Sequence, residues 1–462
     1  MVDVLHIKIL NSMNELLKKC SGENVFRNPN LITCRIDDDF FSVTNPCINN
    51  GTKILNKAQM IILNNIGDNE TILSIAQKNK RSEKDIKNLV DIFKEKVFVA
   101  NDDSFPEPCW RKVPDSLNLW IQTTNDCNLR CSYCYIHTLG KQDYLKGNNI
   151  GRFIEKIVET AQNRNLKHIQ LRFAGGEPLL KFSLWKSEIP ELKQRLDDVN
   201  CKLEIGILTN LVALNDNIVE YIKNNSISVA VSIDGIGMYH NKTRHFIDGK
   251  GSFEIIDKNI GVLINNGINP TLMTVVSNSN LEGLGLFTRY VIEKNLKNRY
   301  SFVSGENIDM HDLIKTMQNC YEIFDAAIEN GYEFSRLHKL CDLKFNKPSF
   351  QTCSNGYNGG ALFTDGGIYF CHRHFGLLQP LGNIYEEDDI LSIIQRKSFY
   401  GEVSLECKKC VYRYICTSGC PIERIDKKDP HCLAYKILIP IIFKLRGKER
   451  LLKIKQKNTY AG

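Results

Sequence analysis

At 462 residues the chain exceeds what one hydrophobic core ordinarily fills, and its 42% hydrophobic and 24% charged residues exclude a fibrous or disordered polymer. The longest apolar run, Ile437 to Phe443, is broken by Pro440 and is too short to span a bilayer, and Asp3, His6 and Lys8 stand where a secretory segment would be apolar. A cytoplasmic protein without a membrane partner is therefore expected, and its seventeen cysteines then point to metal ligation, not disulfides. The net charge of +7 matches the excess in one segment, because Lys436 to Lys457 holds eight Lys/Arg against Glu449 alone. Residues 436–462 are expected to form a solvated basic tail.

Residues 1–100 read as a separate unit. Strand-like runs at Leu31–Ile36, Phe40–Thr44 and Thr52–Leu55 precede helical patterns at Lys57–Ile66, Thr71–Lys78 and Glu83–Val97. In the last, Ile86, Leu89, Val90, Ile92, Phe93 and Val97 form an apolar stripe at helical spacing. Three strands followed by three helices predict a winged-helix-like domain. It resembles the RiPP recognition element, which implies that residues 1–100 bind the leader of a ribosomal precursor peptide. The alternative, an iron–sulfur redox-sensing DNA-binding regulator, fits poorly. Eight Lys/Arg against six Asp/Glu between Lys57 and Asn101 make a weak footprint for a duplex, so no nucleic-acid partner is expected. Residues 101–115, with Pro106, Pro108 and Pro114, form a stiff linker.

From 116 to 331, strands and helices alternate. Strands are predicted at Leu117–Thr123, His168–Phe173, Leu203–Leu208, Ser228–Ile233, Thr271–Val276 and Tyr300–Val303, with helices near 150–164, 182–199, 215–224, 253–266 and 281–295. Such alternation gives an α/β fold with a parallel sheet, here a partial (β/α)6 TIM-type barrel, whose chemistry collects on loops after the strand C-termini. Cys127, Cys131 and Cys134 lie in the first such loop, as Cys127-Asn-Leu-Arg-Cys131-Ser-Tyr133-Cys134. Three thiolates leave one iron of a cubane without a protein ligand.

This run, with Tyr133 before its last cysteine, resembles the signature of the radical S-adenosylmethionine (radical SAM) enzymes; a zinc knuckle is the alternative. The resemblance implies that SAM chelates the open iron of a [4Fe-4S] cluster and is cleaved to a 5′-deoxyadenosyl radical. Ala174-Gly175-Gly176-Glu177-Pro178 after the second strand resembles the family's GGEP motif, with Glu177 expected to pair with the SAM ammonium. After the third strand comes Thr209-Asn210-Leu211, where relatives have glycine at the last position. By the same resemblance Ser232 and Arg244 meet the SAM ribose or carboxylate, Asp234 lines the site, and Val276, with Val275, packs on adenine.

Residues 332–435 hold the second set: Cys353, Gly366, Cys371, Cys407, Cys410, Cys416, Cys420 and Cys432. These spacings resemble the SPASM extension of radical SAM peptide-modifying enzymes; a zinc ribbon is the alternative for the central run. The resemblance implies two auxiliary [4Fe-4S] clusters, one held by Cys407, Cys410, Cys416 and Cys432, the nearer one by Cys353, Cys371 and Cys420. Either Cys341, Cys320 or Cys109 completes the nearer cluster, or its iron is open to a substrate thiolate. Sulfatase-maturing relatives follow their second SPASM cysteine with a basic aspartate; this chain has His372 and His374, and His372 is the candidate base. The implied function is a peptide maturase forming a thioether crosslink, served by a flavodoxin or ferredoxin-type reductant. Carbon–carbon crosslinking, decarboxylation, epimerisation and sulfatase-maturase-like oxidation remain open.

Overall fold

The structure is a computed structural model that describes residues 24–108, 113–139, 147–349, 351–397 and 402–459. At the N-terminus, strands β1 (Asn24–Arg27), β2 (Ile32–Arg35), β3 (Phe40–Thr44) and β4 (Thr52–Asn56) precede helix Lys57–Asn65. After β5 (Glu70–Thr71) come helices Ile72–Asn79 and Glu83–Lys94, and then β6 (Val99–Ala100). The order β2-β3-β4 forms an antiparallel meander, and β1 lies between β5 and β6 in a second small sheet. That second sheet escapes sequence reading because strands of two to four residues have no measurable period. Asn56 and Gln59 close a capping box on the first helix, and Thr71 and Ser82 cap the next two. The third helix stops short of Val97, which adopts φ +51° and ends the stripe.

The central sheet has ten strands. β7 (Ser116–Gln122), β8 (His168–Ala174), β9 (Lys202–Thr209), β10 (Ser228–Ser232), β11 (Thr271–Val276), β12 (Lys297–Phe302) and β13 (His338–Leu340) lie side by side in chain order, all parallel. β14 (Gly359–Leu362) joins the free side of β7, also parallel, and β15 (Gly367–Tyr369) and β16 (Gly382–Asn383) continue antiparallel. The fold is thus α/β with a mostly parallel sheet, longer than six βα units alone would make it by one strand beyond β12 and three beyond β7.

Alternation along the strands separates two faces. Ile169, Leu171 and Phe173 of β8 are buried in the main core with the surrounding helices. Gln170, Arg172 and Ala174 point the other way, and residues from every strand from β7 to β14 border one cavity of about 890 Å³. A sheet whose members all reach one cavity is curled into an incomplete barrel. The expected helix over 182–199 is instead Ser183–Lys186 followed by Glu188–Asp197. Pro190 accounts for the break, since it has no N–H to donate and its ring opposes the Lys186 carbonyl.

The basic segment is not a solvated tail. Helix Cys432–Thr459 runs through the expected boundary at 435/436, and Leu438, Ile439, Ile442, Phe443 and Leu445 are buried. Its charges are largely engaged: Lys448 pairs with Asp325 (2.6 Å) and Glu329 (2.7 Å), Lys453 with Glu449 (2.8 Å), and Lys436 with Glu406. The helix also fastens the N-terminal unit, because Ile32 packs with Ile415, Tyr435, Ile439 and Phe443. Arg450 donates to the Thr52 carbonyl at 2.7 Å, on the edge strand β4. A Cβ at Gly447 would stand 2.7 Å from Ser42 Cβ, so glycine lets helix and sheet touch. Among the described residues, no helix is long and apolar enough to cross a membrane.

Candidate functional site

The cysteine loop after β7 is held by the backbones around it. Gly176 N donates to Thr124 O and Glu177 N to Asp126 O, both at 2.7 Å. A Cβ on Gly175, at φ +148°, would lie 2.4 Å from Thr124 O, and one on Gly176 2.1 Å from Asp126 O. The two glycines therefore let the loop after β8 press against the root of the cysteine loop, while both also border the cavity. From the other side, Arg130 N donates to His245 O (2.8 Å) and Ser132 N to Thr243 O (2.9 Å).

Beneath the loop sits a buried polar hub. Asp234 Oδ2 accepts from the Tyr133 hydroxyl (2.5 Å), Thr243 Oγ1 (2.9 Å) and Arg244 Nε (2.9 Å), and Oδ1 accepts from Val275 N (3.0 Å). Arg244 lies over the Tyr133 ring at 5.4 Å and extends Nη1 to within 3.7 Å of Cys131 Sγ. Burial pulls the guanidinium down, but Asp234, with Tyr133 and Cys131 adding to it, holds Arg244 above its ordinary range. Arg244, Tyr133 and Ser232 border the cavity, whereas Asp234, fully buried, acts through its neighbours and does not line it.

Two further expectations change. The Glu177 carboxylate does not point into the cavity: it is fully buried and accepts from Leu179 N (3.0 Å), Thr209 Oγ1 (2.6 Å) and Asn210 N (2.7 Å). Burial raises it to about 7 against those three donors. It braces the ends of β8 and β9. Val276 is likewise buried in the core, and Val275 is the member of the pair that borders the cavity, because a one-residue step on a strand reverses the face. Leu211 has φ +64°, the conformation that glycine adopts without cost.

The structure gathers the ten patterned cysteines into three groups. Cys127, Cys131 and Cys134 border the large cavity, and so do Cys353, Cys371 and Cys420. Cys407, Cys410, Cys416 and Cys432 line a separate small pocket, which meets the cavity at Cys416 and Tyr435. In Cys127, Cys134, Cys353, Cys371, Cys416 and Cys420 the sulfur accepts the backbone N–H two residues on. Asn210 Nδ2 adds a contact to Cys127 Sγ at 3.7 Å. Burial pushes these thiols up, Cys127 to about 12. Grouped thiols surrounded by N–H donors fit iron–sulfur ligation, in which such bonds offset the sulfur charge.

Of the candidates for a further ligand, Cys320 is fully buried in the aromatic core and does not reach the cavity. Cys341 borders it, at φ +46° and bonded to Tyr435, and Cys109 lies outside the described residues. His372, expected as a base, stacks on Trp120 with ring centroids 4.1 Å apart, and its Nδ1 is 2.8 Å from the Tyr135 hydroxyl. Burial, with Arg373 and Arg172 nearby, lowers it to about 3, so it is neutral and weakly basic at pH 7.

Sequence reading missed Trp120, Arg172, Arg299 and Asp342, all of which border the cavity. The signal was present as period-two alternation: Gln170 and Arg172 interrupt an otherwise apolar strand at every second position.

Comparison with known proteins follows the same geometry. Residues 121–288 match the family model described as the radical SAM superfamily. The chain is 24% identical over 359 residues to the cysteine-type anaerobic sulfatase-maturating enzyme of Clostridium perfringens, covering 69% of this chain and 94% of that one. It is 23% identical over 359 residues to the radical SAM cyclopropyl synthase TigE of Paramaledivibacter caminithermalis, covering 69% and 72%. Among solved structures, anSMEcpe with bound AdoMet shares the fold at a TM-score of 0.60 and 21% identity, over 72% of this chain and 99% of that one. The superfamily uses a [4Fe-4S] cluster and SAM, and the Cys127, Cys131, Cys134 group fits the protein side of such a site.

Proposed function

The chain is a radical SAM enzyme, and from that premise we propose that it modifies a ribosomally made precursor peptide in the cytosol, joining a substrate cysteine to a carbon as a thioether. The observation that carries this reading is the shared cavity, bordered by Cys127, Cys131 and Cys134 and also by Cys353, Cys371 and Cys420. A substrate seated there reaches both cysteine groups. When bound, the first cluster and SAM supply a 5′-deoxyadenosyl radical able to take a hydrogen atom. Cys127, Cys131 and Cys134 would hold that cluster; Ser232 and Arg244 border the cavity beside them, Arg244 kept cationic by Asp234 and so suited to a carboxylate. Cys353, Cys371 and Cys420 would hold an auxiliary cluster with one iron left for a substrate thiolate, brought close to the carbon it joins. Cys407, Cys410, Cys416 and Cys432 would hold a second auxiliary cluster, exchanging electrons with a flavodoxin or ferredoxin-type protein.

A peptide substrate is supported by relatives that carry maturase names and by anSMEcpe, described with bound AdoMet and Cp18Cys peptide. The leader would add to the free side of β4, the edge of its sheet. The Lys53–Glu95 ion pair (2.6 Å) bridges that strand and the residue just past the helix Glu83–Lys94, and a half-exposed pair of this kind is cheap to displace. A second reading, oxidation of a sulfatase-type cysteine or serine, is favoured by the sulfatase-maturating relatives.

Anaerobic reconstitution tests both. The protein should carry about twelve irons, three cubanes of four, and the Cys127→Ala/Cys131→Ala/Cys134→Ala variant should lose about four of them together with all SAM cleavage. A cysteine-containing precursor should perturb the spectrum of the auxiliary cluster held by Cys353, Cys371 and Cys420, and its Cys→Ser form should not. An aldehyde product with no thioether would replace the first reading by the second.

A further inference from the structure

The inner face of the barrel carries more positive charge than its own carboxylates balance. Arg172 of β8, Lys297 and Arg299 of β12, Arg336 and Lys339 border the cavity, and Asp342 is the single acid facing them from the barrel among the described residues. Arg299 is committed, with Nη2 3.0 Å from Asp342 Oδ2 and Nε donating to Ser301 Oγ at 3.0 Å. Arg336 pairs outward with Glu333 at 2.6 Å. The Arg172 guanidinium has no hydrogen bond or ion pair among the described residues, and Arg299 is the strongest charge acting on it.

The neighbours of Arg172 leave it open to the cavity. On one side, Gly206 of β9 stands in register with it and adds no side chain. On the other, Trp120 of β7 stands in register and stacks on His372, the residue after Cys371. Arg172 therefore stands between the Trp120 ring and Gly206, beyond which the Ser228 hydroxyl closes in, with no partner among the described residues, and it shares the cavity with Cys353, Cys371 and Cys420. Arg172 and Lys339 are exposed to the cavity and, with Arg299, face the single barrel carboxylate Asp342, so an anion entering on this side meets a net positive wall. A guanidinium fork matches the two oxygens of a carboxylate.

We propose that Arg172, supported by Arg299 and Lys339, is a carboxylate-binding subsite for the peptide substrate, so that the segment being modified carries a carboxylate beside the reacting residue. The proposal rests on the peptide reading above and adds its chemical class: an acidic peptide, by an Asp/Glu side chain or by a C-terminal carboxylate.

The test uses full-length, iron-replete enzyme with SAM under anaerobic conditions and three pools of random decapeptides. The first has amidated C-termini and Asp/Glu at the varied positions, the second is amidated with Asn/Gln instead, and the third has Asn/Gln with free C-termini. Wild-type enzyme should retain one carboxylate-bearing pool about tenfold better than the neutral pool, the worth of a charge-assisted hydrogen bond. Which pool wins identifies the source of the carboxylate. Arg172→Gln should lose the preference, Arg172→Lys should keep part of it, and both should bind SAM as wild type does. Equal retention of all pools by wild type would overturn the subsite while leaving the peptide reading standing. Retention of no pool would overturn the subsite, while the peptide reading, whose leader contact lies at β4, stands or falls on the spectral change that a cysteine-containing precursor produces. Loss of SAM affinity in both variants would assign Arg172 to the cofactor and overturn the proposal.

Discussion

The two cysteine-bearing regions reach the same cavity by opposite means. The Cys127 loop is organised by the protein itself: it is rooted on β7 of a sheet whose first six strands have five to eight residues, pressed by Gly175 and Gly176, stapled to 243–246, and footed on Asp234. The region from 351 to 432 has strands of two to four residues and helices of three to six; Leu362, Ile368, Ile384, Ile390 and Ile394 lean on the barrel's core, and its own satellite core gathers only Ala361, Tyr369 and Phe375 among the described residues. Elements that short do not stabilise themselves. The barrel is a frame that receives a cluster, whereas the C-terminal region needs cross-links to become a frame.

The largest effect expected from this contrast is on removal of iron. Chelation under anaerobic conditions should leave the 116–331 barrel resistant to limited proteolysis while cleavage sites open between 351 and 432. Cleavage appearing first in the barrel would break the comparison.

Within the barrel side, the hub should be costly to disturb. Asp234→Ala leaves Arg244 buried without its partner and should lower stability by about 3–5 kcal/mol, read from denaturant unfolding. Adding Arg244→Met should restore much of that loss, because the penalty lies in the orphaned charge. A single-variant cost under about 1 kcal/mol would place the hub among ordinary surface pairs.

A smaller, pH-dependent effect sharpens the picture at the far edge of the sheet. His338 of β13 is buried against Phe324 and Phe334, and burial lowers it to about 3. A histidine lowered on folding binds its proton more readily in the unfolded chain. Its contribution is therefore constant above the unfolded value of about 6.5, and stability falls as pH drops below that, by about 1.4 kcal/mol per unit until about 3 is reached. His338→Phe should flatten the stability profile between pH 6.5 and 4.5, and an unchanged slope would show that His338 is not held neutral.

The sequence by itself determined the parts whose physics is local. Spacing of three and two residues between Cys127, Cys131 and Cys134, period-two runs for six barrel strands, and helical stripes between them all depend on neighbours along the chain. The spacing of the C-terminal cysteines carried the resemblance that implied their grouping, and the fold gathers them in those groups. Tertiary structure decided which way each side chain faces and what it meets there. Glu177 and Asp234 are carboxylates in the expected loops, yet both turn away from the cavity, because a fully buried carboxylate must find donors and Thr209, Asn210, Tyr133 and Arg244 supply them. The terminal helix looks basic in sequence, yet its charges meet Asp325, Glu329 and Glu406 from distant elements while its apolar side fills the seam between barrel and N-terminal unit. Arg172 could be read as an inward residue from alternation, but that Gly206 and Trp120 stand beside it, and that no described residue pairs with it, follows from register between strands, which is set only when the sheet assembles.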